Sequence, residues 1–241
     1  MAKASEKNQN SKQIIKALTT ISEAVISDQY LDDILKLIVT VTAEVMGSKI
    51  CSLMMISDSG KELVIKATQS VSETYNKKPN IKVGEGVAGM VAKEGKHITV
   101  LDVREDKRYI NRDIAKEENL YSLLSVPLIF KGKVIGVLNS YTAQRHSFTK
   151  NEINILKSVA NQAAVVIENF RLVVESEIIK EELETRKTVE RAKGILMKQG
   201  SLSEKEAYDL IRKYSMDRRK TMKEISEAII LSEDMKNLSK K

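Results

Sequence analysis

The chain has 241 residues, enough for one large or two modest domains, and its hydrophobic fraction of 42% can fill a core. With aromatic residues at 4% and no Trp, aliphatic side chains must do most of the packing. Residues 1–13 are polar, unlike a signal peptide, and no apolar run is long enough to span a bilayer. Cys51 is the single cysteine, which excludes an intrachain disulfide and a cysteine-based metal site. We therefore expect a cytoplasmic protein that does not enter the membrane.

The net charge of +7 is distributed unevenly along the chain. Residues 1–174 carry +5, residues 175–185 carry −4, and residues 186–241 carry +6. An acidic segment between two basic ones is typical of a domain boundary. We predict that residues 1–11 form a disordered N-terminus and that residues 175–185 form an acidic helical linker.

Apolar residues at helical spacing predict one helix from Ile14 to Val25 and a second from Leu31 to Val45, with Asp28 as the candidate N-cap of the second. The pattern then changes to short apolar segments, which are typical of strands. The predicted strands are Lys49–Ile56, Leu63–Ala67 and Ile98–Leu101. Between them, Lys82 to Gly86 predicts the start of a short helix, and residues 102–119 predict a charged loop with a helical turn.

The clearest hairpin in the sequence joins the apolar segments Leu123–Phe130 and Val134–Tyr141 through Lys131-Gly132-Lys133. Pro127 lies within the first of these strands and has no amide hydrogen to donate. It therefore predicts an edge position or a bulge.

A long helix is predicted to begin near Thr149, with Glu152 three residues later completing a capping box. No Pro or Gly interrupts the sequence from there to Gly194, and apolar residues keep helical spacing throughout. A helix of this length cannot bury its apolar stripe on one small domain. We therefore predict a parallel homodimer through residues 151–199. For Gly194, which weakens a helix, we expect a close helix–helix crossing.

Two further capping boxes follow Gly200, at Ser203 with Glu206 and at Thr221 with Glu224. They predict a compact three-helix unit. Between Arg186 and Lys223 this unit carries twelve basic and five acidic residues, a formal +7. A small helical unit with such an excess is a candidate for binding a polyanion.

Residues 14–172 resemble a GAF domain. The resemblance lies in the paired helices, the hairpin and three motifs: Gly84-Glu85-Gly86-Val87-Ala88-Gly89, Ser125-Val126-Pro127-Leu128 and Val134-Ile135-Gly136-Val137-Leu138. The resemblance implies a sensor of a small-molecule ligand or a protein partner. We expect a ligand to lie between the sheet and the segment from Gly84 to Asn119. The sequence does not identify the ligand or any cofactor, and a cyclic nucleotide, a small acid, haem or no ligand all remain open.

Residues 179–231 resemble an ANTAR domain. The motifs are Arg191-Ala192-Lys193-Gly194-Ile195-Leu196-Met197, Ser203-Glu204-Lys205-Glu206-Ala207-Tyr208, Leu210-Ile211-Arg212 and Ile225 to Ile229. The sequence departs from the family at Tyr214-Ser215-Met216, where small Ala is usual beside Met. The resemblance implies a transcription antiterminator that binds paired RNA hairpins in nascent transcripts as a dimer. Together the two resemblances predict an α+β fold: a GAF-like antiparallel sheet flanked by helices over residues 12–174, then a helical stalk into an all-α ANTAR domain over residues 186–235.

The candidate RNA-binding residues are cations near the end of the second ANTAR helix, two cations of the first helix, and one tyrosine. They are Arg191, Lys198, Tyr208, Arg212, Lys213, Arg218, Arg219 and Lys220. Arg218 to Lys220 precede the third helix, whose N-terminal amides also favour phosphate. Tyr208 could stack on an unpaired base, as aromatic residues do in proteins that bind looped RNA. Ala207, Leu210, Ile211 and Tyr214 are predicted to be core.

Other chemistries find little support in the sequence. Gly84-Glu85-Gly86 lacks the Lys-Ser/Thr of a phosphate-binding loop, and Cys51 is predicted to lie in the core beside Leu53. His97 and His146 lack nearby Cys or carboxylate in the sequence, so no catalytic or metal site is predicted. An enzyme built on the GAF fold is therefore disfavoured. A DNA-binding transcriptional regulator with a GAF sensor remains the alternative, because three basic helices can also form a helix-turn-helix.

Overall fold

The structure, a computed structural model, describes residues 31–238. Three predictions lie outside the described residues: the helix at Ile14–Val25, the Asp28 cap and the disordered N-terminus over residues 1–11. The chain forms two compact units that divide between Arg171 and Leu172. No helix among residues 31–238 is both long enough and apolar enough to cross a membrane.

The first unit is an α+β fold with one six-stranded antiparallel sheet, in the strand order β3-β2-β1-β6-β5-β4. Its elements before the final helix are α1 (Leu31–Met46), β1 (Ile50–Ile56), β2 (Glu62–Thr68), α2 (Glu73–Asn76), β3 (Ile81–Lys82), α3 (Gly86–Glu94), β4 (Ile98–Val100), α4 (Arg112–Glu117), β5 (Leu123–Phe130) and β6 (Lys133–Tyr141). The predicted fold class and the predicted strands are confirmed. The sequence patterns gave no sign of α2 and β3.

Side chains alternate across the sheet, so each face has its own core. On one face Cys51 and Leu53 pack with apolar residues of α1 and of the following long helix, including Leu35 and Leu156. Cys51 is fully buried, as predicted, and burial raises the pKa of its thiol. On the other face Met54 and Val137 pack against α3, and Tyr141 packs with Leu123 and the loops that follow β2 and β4.

The β5–β6 hairpin turns through two residues, Lys131 and Gly132, both with positive φ (47° and 80°). This is the backbone that a two-residue turn between twisted strands requires. Pro127 lies opposite Val137 of β6, while β4 pairs only with residues 123–125 on the other side of β5. Pro127 is therefore locally at an edge, next to a bulge between Leu128 and Ile129, and both parts of its prediction are confirmed.

A single helix, α5 (Lys150–Gly200), runs from the first unit into the second. Thr149 and Glu152 form the predicted capping box at its start, with Glu152 accepting from the Thr149 amide at 2.7 Å. The helix continues through Gly194 without a break. A Cβ at Gly194 would meet no atom within 4 Å, so the expected close helix crossing is absent from the described residues.

The second unit adds α6 (Glu204–Arg218) and α7 (Met222–Leu238) to the last part of α5. Both predicted capping boxes are present, at Ser203 with Glu206 and at Thr221 with Glu224. The core of the unit is built on small residues where the helices meet, which lets the backbones approach. Its buried residues are Val189, Ala192, Lys193, Ala207, Ile211 and Ser226.

Candidate functional site

Five of the predicted RNA-binding cations are exposed and have no acidic partner among residues 31–238. Lys198, Arg212, Lys213, Arg218 and Arg219 make no side-chain ion pair or hydrogen bond within the described part of the chain. An exposed cation without a local partner keeps its full charge available to an incoming anion. These five residues are called the unpaired cations below.

The remaining predicted cations have partners. Arg191 donates to Asp234 of α7 at 3.2 Å, and Lys220 lies 3.7 Å from Glu224. Both pairs are exposed, so they are weak and can exchange for a phosphate.

Lys193, which lies two residues after Arg191 and outside the predicted set, is held differently. It is buried, and its ammonium donates to Glu190 and to Glu204, the latter at 2.7 Å. These bonds raise the pKa of Lys193 and lower that of Glu204. Lys193 therefore ties α5 to the start of α6, and we count it as structural.

Two pairs, each of one tyrosine and one arginine, lie on the surface of α6. Tyr208 and Arg212 are four residues apart and so are neighbours on one side of the helix, and Tyr214 and Arg218 are neighbours on the other. Buried Ile211 lies between the two sides. Tyr208 lines a groove with Arg186 and Met222, whereas Tyr214 and Arg218 line a second groove of about 490 Å³ beside α7. The structure thus does not bring Tyr208 and Arg218 together.

Tyr214 is the residue that the sequence interpretation missed. Its prediction as core is wrong, because 49% of it is exposed, compared with 41% of Tyr208. Ala207 and Ile211 of the same predicted stripe are buried, as expected. The spacing of Tyr214 to Arg218 was the available signal, since it repeats the spacing of Tyr208 to Arg212.

The N-terminus of α7 is already partly satisfied. Glu224 accepts from the amide of Thr221, and Thr221 Oγ1 accepts from the amide of Glu224 at 3.2 Å. The bonds from Thr221 lower the pKa of Glu224, which keeps a negative charge at this helix end. The helix N-terminus is thus less available to phosphate than the sequence suggested, and Arg218 and Arg219 are the stronger candidates there.

The first unit has a small closed cavity where a ligand was expected, between the sheet and the segment from Gly84 to Asn119. Residues that line it include Met54, Lys78, Val87, Tyr109, Asn111 and Tyr141. Its volume is about 10 Å³, which is at the limit for a single water molecule. Ligand binding there stays a prediction, and it requires the cavity to enlarge.

No group of three or more His, Cys, Asp or Glu side chains within residues 31–238 is arranged to hold a metal. The expectation that His146 lacks a carboxylate neighbour is wrong. Its Nε2 lies 2.8 Å from Oε1 of Glu152, the residue that caps α5. This contact joins the β6–α5 loop to the start of the helix, and we assign it a structural role.

Comparison with known families agrees with these two units. The sequence model of the GAF domain matches residues 28–168, more than half of the chain. The chain belongs to the GAF family. The model of the ANTAR domain matches residues 177–230, so an ANTAR domain follows the GAF domain.

Three similar proteins illustrate the match. The solved GAF domain of a phosphoenolpyruvate-protein phosphotransferase from Coxiella burnetii is 28% identical, with a TM-score of 0.61 over 69% of this chain and 99% of that one. The "Methyl sulfide methyltransferase-associated sensor" of Methanosarcina acetivorans is 25% identical over 66% of this chain and 16% of its own length. The "Transcriptional regulatory protein PdtaR" of Mycobacterium tuberculosis is 46% identical over 52 residues, 22% of this chain and 25% of its own. The chain thus spans a quarter or less of these two curated relatives.

Proposed function

We propose that this protein is a signal-responsive, RNA-binding transcription antiterminator. In this proposal the GAF domain senses a small-molecule ligand or a protein partner, and the ANTAR domain, as part of a homodimer, binds hairpins in nascent transcripts. GAF and ANTAR domains together indicate a regulatory protein rather than an enzyme. Because the proposed target is a nascent transcript, we place the protein in the cytoplasm. We also propose the boundaries 12–174, 175–185 and 186–235 for the sensor, the linker and the RNA-binding domain.

The observation that carries this proposal is the set of unpaired cations on and around α6. Ordinary solvated surfaces intersperse both signs of charge, and many surface cations acquire an acidic neighbour. Here Arg191, Lys193 and Lys220 do have such neighbours, while Arg212 and Arg218 do not. Arg212 and Arg218 each have an exposed tyrosine four residues before them. A cation beside an aromatic ring is the combination that binds the backbone and bases of an unpaired strand.

The 46% identity to the transcriptional regulatory protein PdtaR supports a role in transcription for the ANTAR domain. The sensor relative from Methanosarcina acetivorans supports a sensing role for the GAF domain. Both relatives are much longer than the matched segments, so their whole activities are not transferred to this chain.

A homodimer is supported by apolar residues of α5 that nothing covers within the described chain. Val165, Leu172 and Ile179 are each exposed by 40% or more and follow one another at seven-residue spacing. This spacing keeps side chains on one side of a coiled coil. In a parallel dimer, Glu181 and Glu182 of the two chains would lie close together, and repulsion between these like charges would weaken the dimer. Dimerisation that depends on the signal is therefore also consistent with the proposal.

The decisive experiment compares binding of the full chain to hairpin RNA and to duplex DNA of equal length. We expect tighter binding to the hairpin, with log K falling with log salt at a slope of about −0.7 for each contacted phosphate of unpaired RNA. Equal or tighter binding to duplex DNA would instead favour a DNA-binding regulator with a GAF sensor, the alternative that three basic helices keep open.

Variants of α6 test which side meets the RNA. Arg212→Ala and Arg218→Ala each remove one unpaired cation, and loss of a phosphate contact should flatten the salt slope by about 0.7. Tyr208→Ala and Tyr214→Ala should leave the slope unchanged, and the stacking residue should cost roughly 1–3 kcal/mol of binding. Lys133→Ala, which removes an exposed cation from the GAF domain, is the matched control and should change neither quantity.

The side of α6 that contacts RNA is the one on which both the arginine variant and the tyrosine variant weaken RNA binding. If the double Arg212/Arg218 variant bound hairpin RNA as tightly as the parent at physiological salt, α6 would be a solvated surface and the proposal would lose its support. Sedimentation at micromolar concentration, with and without RNA, tests the dimer separately. A monomer under both conditions would contradict it.

A further inference from the structure

Lys78 occupies an unusual position for a lysine. Ser72 caps the short helix α2 by accepting from the amide of Tyr75, and the helix ends at Asn76. The chain then turns so that Lys78 points back into the domain and is only 7% exposed. Its Nζ lies 3.9 Å from the centroid of the Tyr75 ring and 5.9 Å from that of Tyr141.

The ammonium of Lys78 has no counter-ion among residues 31–238. It makes no ion pair and no side-chain hydrogen bond with them, and its electrostatic partners there are two aromatic rings, Tyr75 close by and Tyr141 farther away. A buried charge is costly unless it is paired, and aromatic rings offset only part of that cost. Burial accordingly lowers the pKa of Lys78 to about 7.

The titratable groups around Lys78 are uncharged near neutral pH. Burial raises the pKa of Tyr75, Tyr109 and Tyr141. No carboxylate lines the cavity next to Lys78. The other polar side-chain groups in the cavity lining are the amide of Asn111 and the hydroxyls of Tyr109 and Tyr141. The site therefore consists of one cation in a setting of aromatic, aliphatic and amide groups.

We propose that this cavity binds a small organic carboxylate, with the carboxylate paired to Lys78 and the apolar part packed among the tyrosines. The proposal deepens the sensing role assigned above to the GAF domain and rests on it. A single cation with apolar walls suits a monoanion with a hydrocarbon portion, whereas inorganic phosphate demands more donors than the lining supplies. The cavity of about 10 Å³ must enlarge to hold such a ligand. Ile110 lines the cavity and is 52% exposed, so in this proposal the ligand enters by displacing the Ile110 side chain.

Calorimetric titration of the full chain with isobutyrate tests this assignment, with neutral isobutyramide and inorganic phosphate as comparison probes. Isobutyrate should bind and the other two should not. Because free Lys78 is mostly neutral at pH 8, isobutyrate should bind about tenfold more weakly there than at pH 6. Titrations in two buffers of different ionisation enthalpy measure the number of protons that the protein takes up when isobutyrate binds. We expect uptake of as much as about 0.9 proton at pH 8 and of almost none at pH 6.

Substitution separates Lys78 from its neighbours. Lys78→Met keeps the length of the side chain without the charge and should abolish isobutyrate binding. Lys77→Met removes the adjacent lysine, which is exposed and paired with Glu73, and should bind like the parent. The proposal is overturned if isobutyramide binds as well as isobutyrate, if phosphate binds in its place, or if affinity is the same at pH 6 and pH 8.

The two proposals fail separately. Isobutyrate binding and its proton uptake are measured without RNA, and RNA binding is measured without isobutyrate. If hairpin RNA binds and isobutyrate does not, the carboxylate site is wrong and the antiterminator proposal stands. If isobutyrate binds and hairpin RNA does not, the reverse holds.

Discussion

Burial of Lys78 should make the stability of the GAF domain rise with pH just above neutrality. Its pKa is about 7 in the folded protein, whereas an unfolded lysine titrates near 10.4. Between these two values the unfolded chain binds more protons than the folded one, so the free energy of unfolding increases with pH. Below about pH 7 both states are protonated, and the destabilising effect of the buried charge is then constant.

The size of the rise follows from the two pKa values. From pH 7 to pH 8.5 the unfolded chain holds an excess of protons over the folded one that grows from about one half to nearly one. Each proton of excess raises the free energy of unfolding by about 1.36 kcal/mol for each pH unit, so the total rise is roughly 1.5 kcal/mol. Other groups act mainly outside this window. The raised pKa of Cys51 lowers stability as the unfolded thiol ionises around pH 8.5, and that of Tyr75 acts around pH 10. The lowered pKa of His97 acts below about pH 6.5.

Urea unfolding of the full chain at pH 7, 7.5, 8 and 8.5 measures this effect. Near-ultraviolet circular dichroism is the suitable signal, because the chain has no Trp and three buried tyrosines report on the GAF domain. Lys78→Met should remove the rise and, at pH 7, be more stable than the parent by at most about 4 kcal/mol. Lys77→Met should keep the rise. An undiminished rise in Lys78→Met would refute the assignment of the titration to Lys78.

Three further predictions concern the ANTAR domain. Ser226→Ala should stabilise it by about 1 kcal/mol in urea unfolding, because the Ser226 hydroxyl is fully buried and has no partner among the described residues. Arg219→Gly should raise stability by about 0.5–1 kcal/mol, because Arg219 ends α6 with φ 53°, and it should also flatten the salt slope of RNA binding. Glu206→Ala should cost about 1 kcal/mol by opening the capping box, and unchanged stability would contradict that role.

Features that depend on neighbours in sequence were predictable. A capping box needs two residues three positions apart, and Thr149, Ser203 and Thr221 each formed the bonds that their spacing predicted. The β5–β6 hairpin is local in the same sense, since the two residues Lys131 and Gly132 determine its turn. Local geometry is decided within one turn of chain, so a single sequence contains the information.

The environment of a side chain was harder to predict, because it depends on distant packing. Lys78 lies in a polar stretch of sequence and is buried only because a four-residue helix turns it toward Tyr141. Lys193 belongs to the same basic motif as Arg191, yet it is buried between Glu190 and Glu204 while Arg191 is exposed. Neither residue type nor spacing separates these cases.

The same limit applies to the proposed RNA interface, where formal charge overstates what an incoming strand meets. The segment from Arg186 to Lys223 carries a formal +7, but Arg191, Lys193 and Lys220 of that segment are already paired. Five unpaired cations remain of those predicted to bind RNA, which bounds their contribution to the salt slope at about −3.5 for each chain. One hairpin arm on one side of α6 would meet fewer of them, because Tyr208 and Arg218 line different grooves. A measured slope well beyond this bound would mean that further cations also reach phosphate. These would be Arg191 and Lys220 after their exposed ion pairs exchange, or cations outside the predicted set such as Lys205.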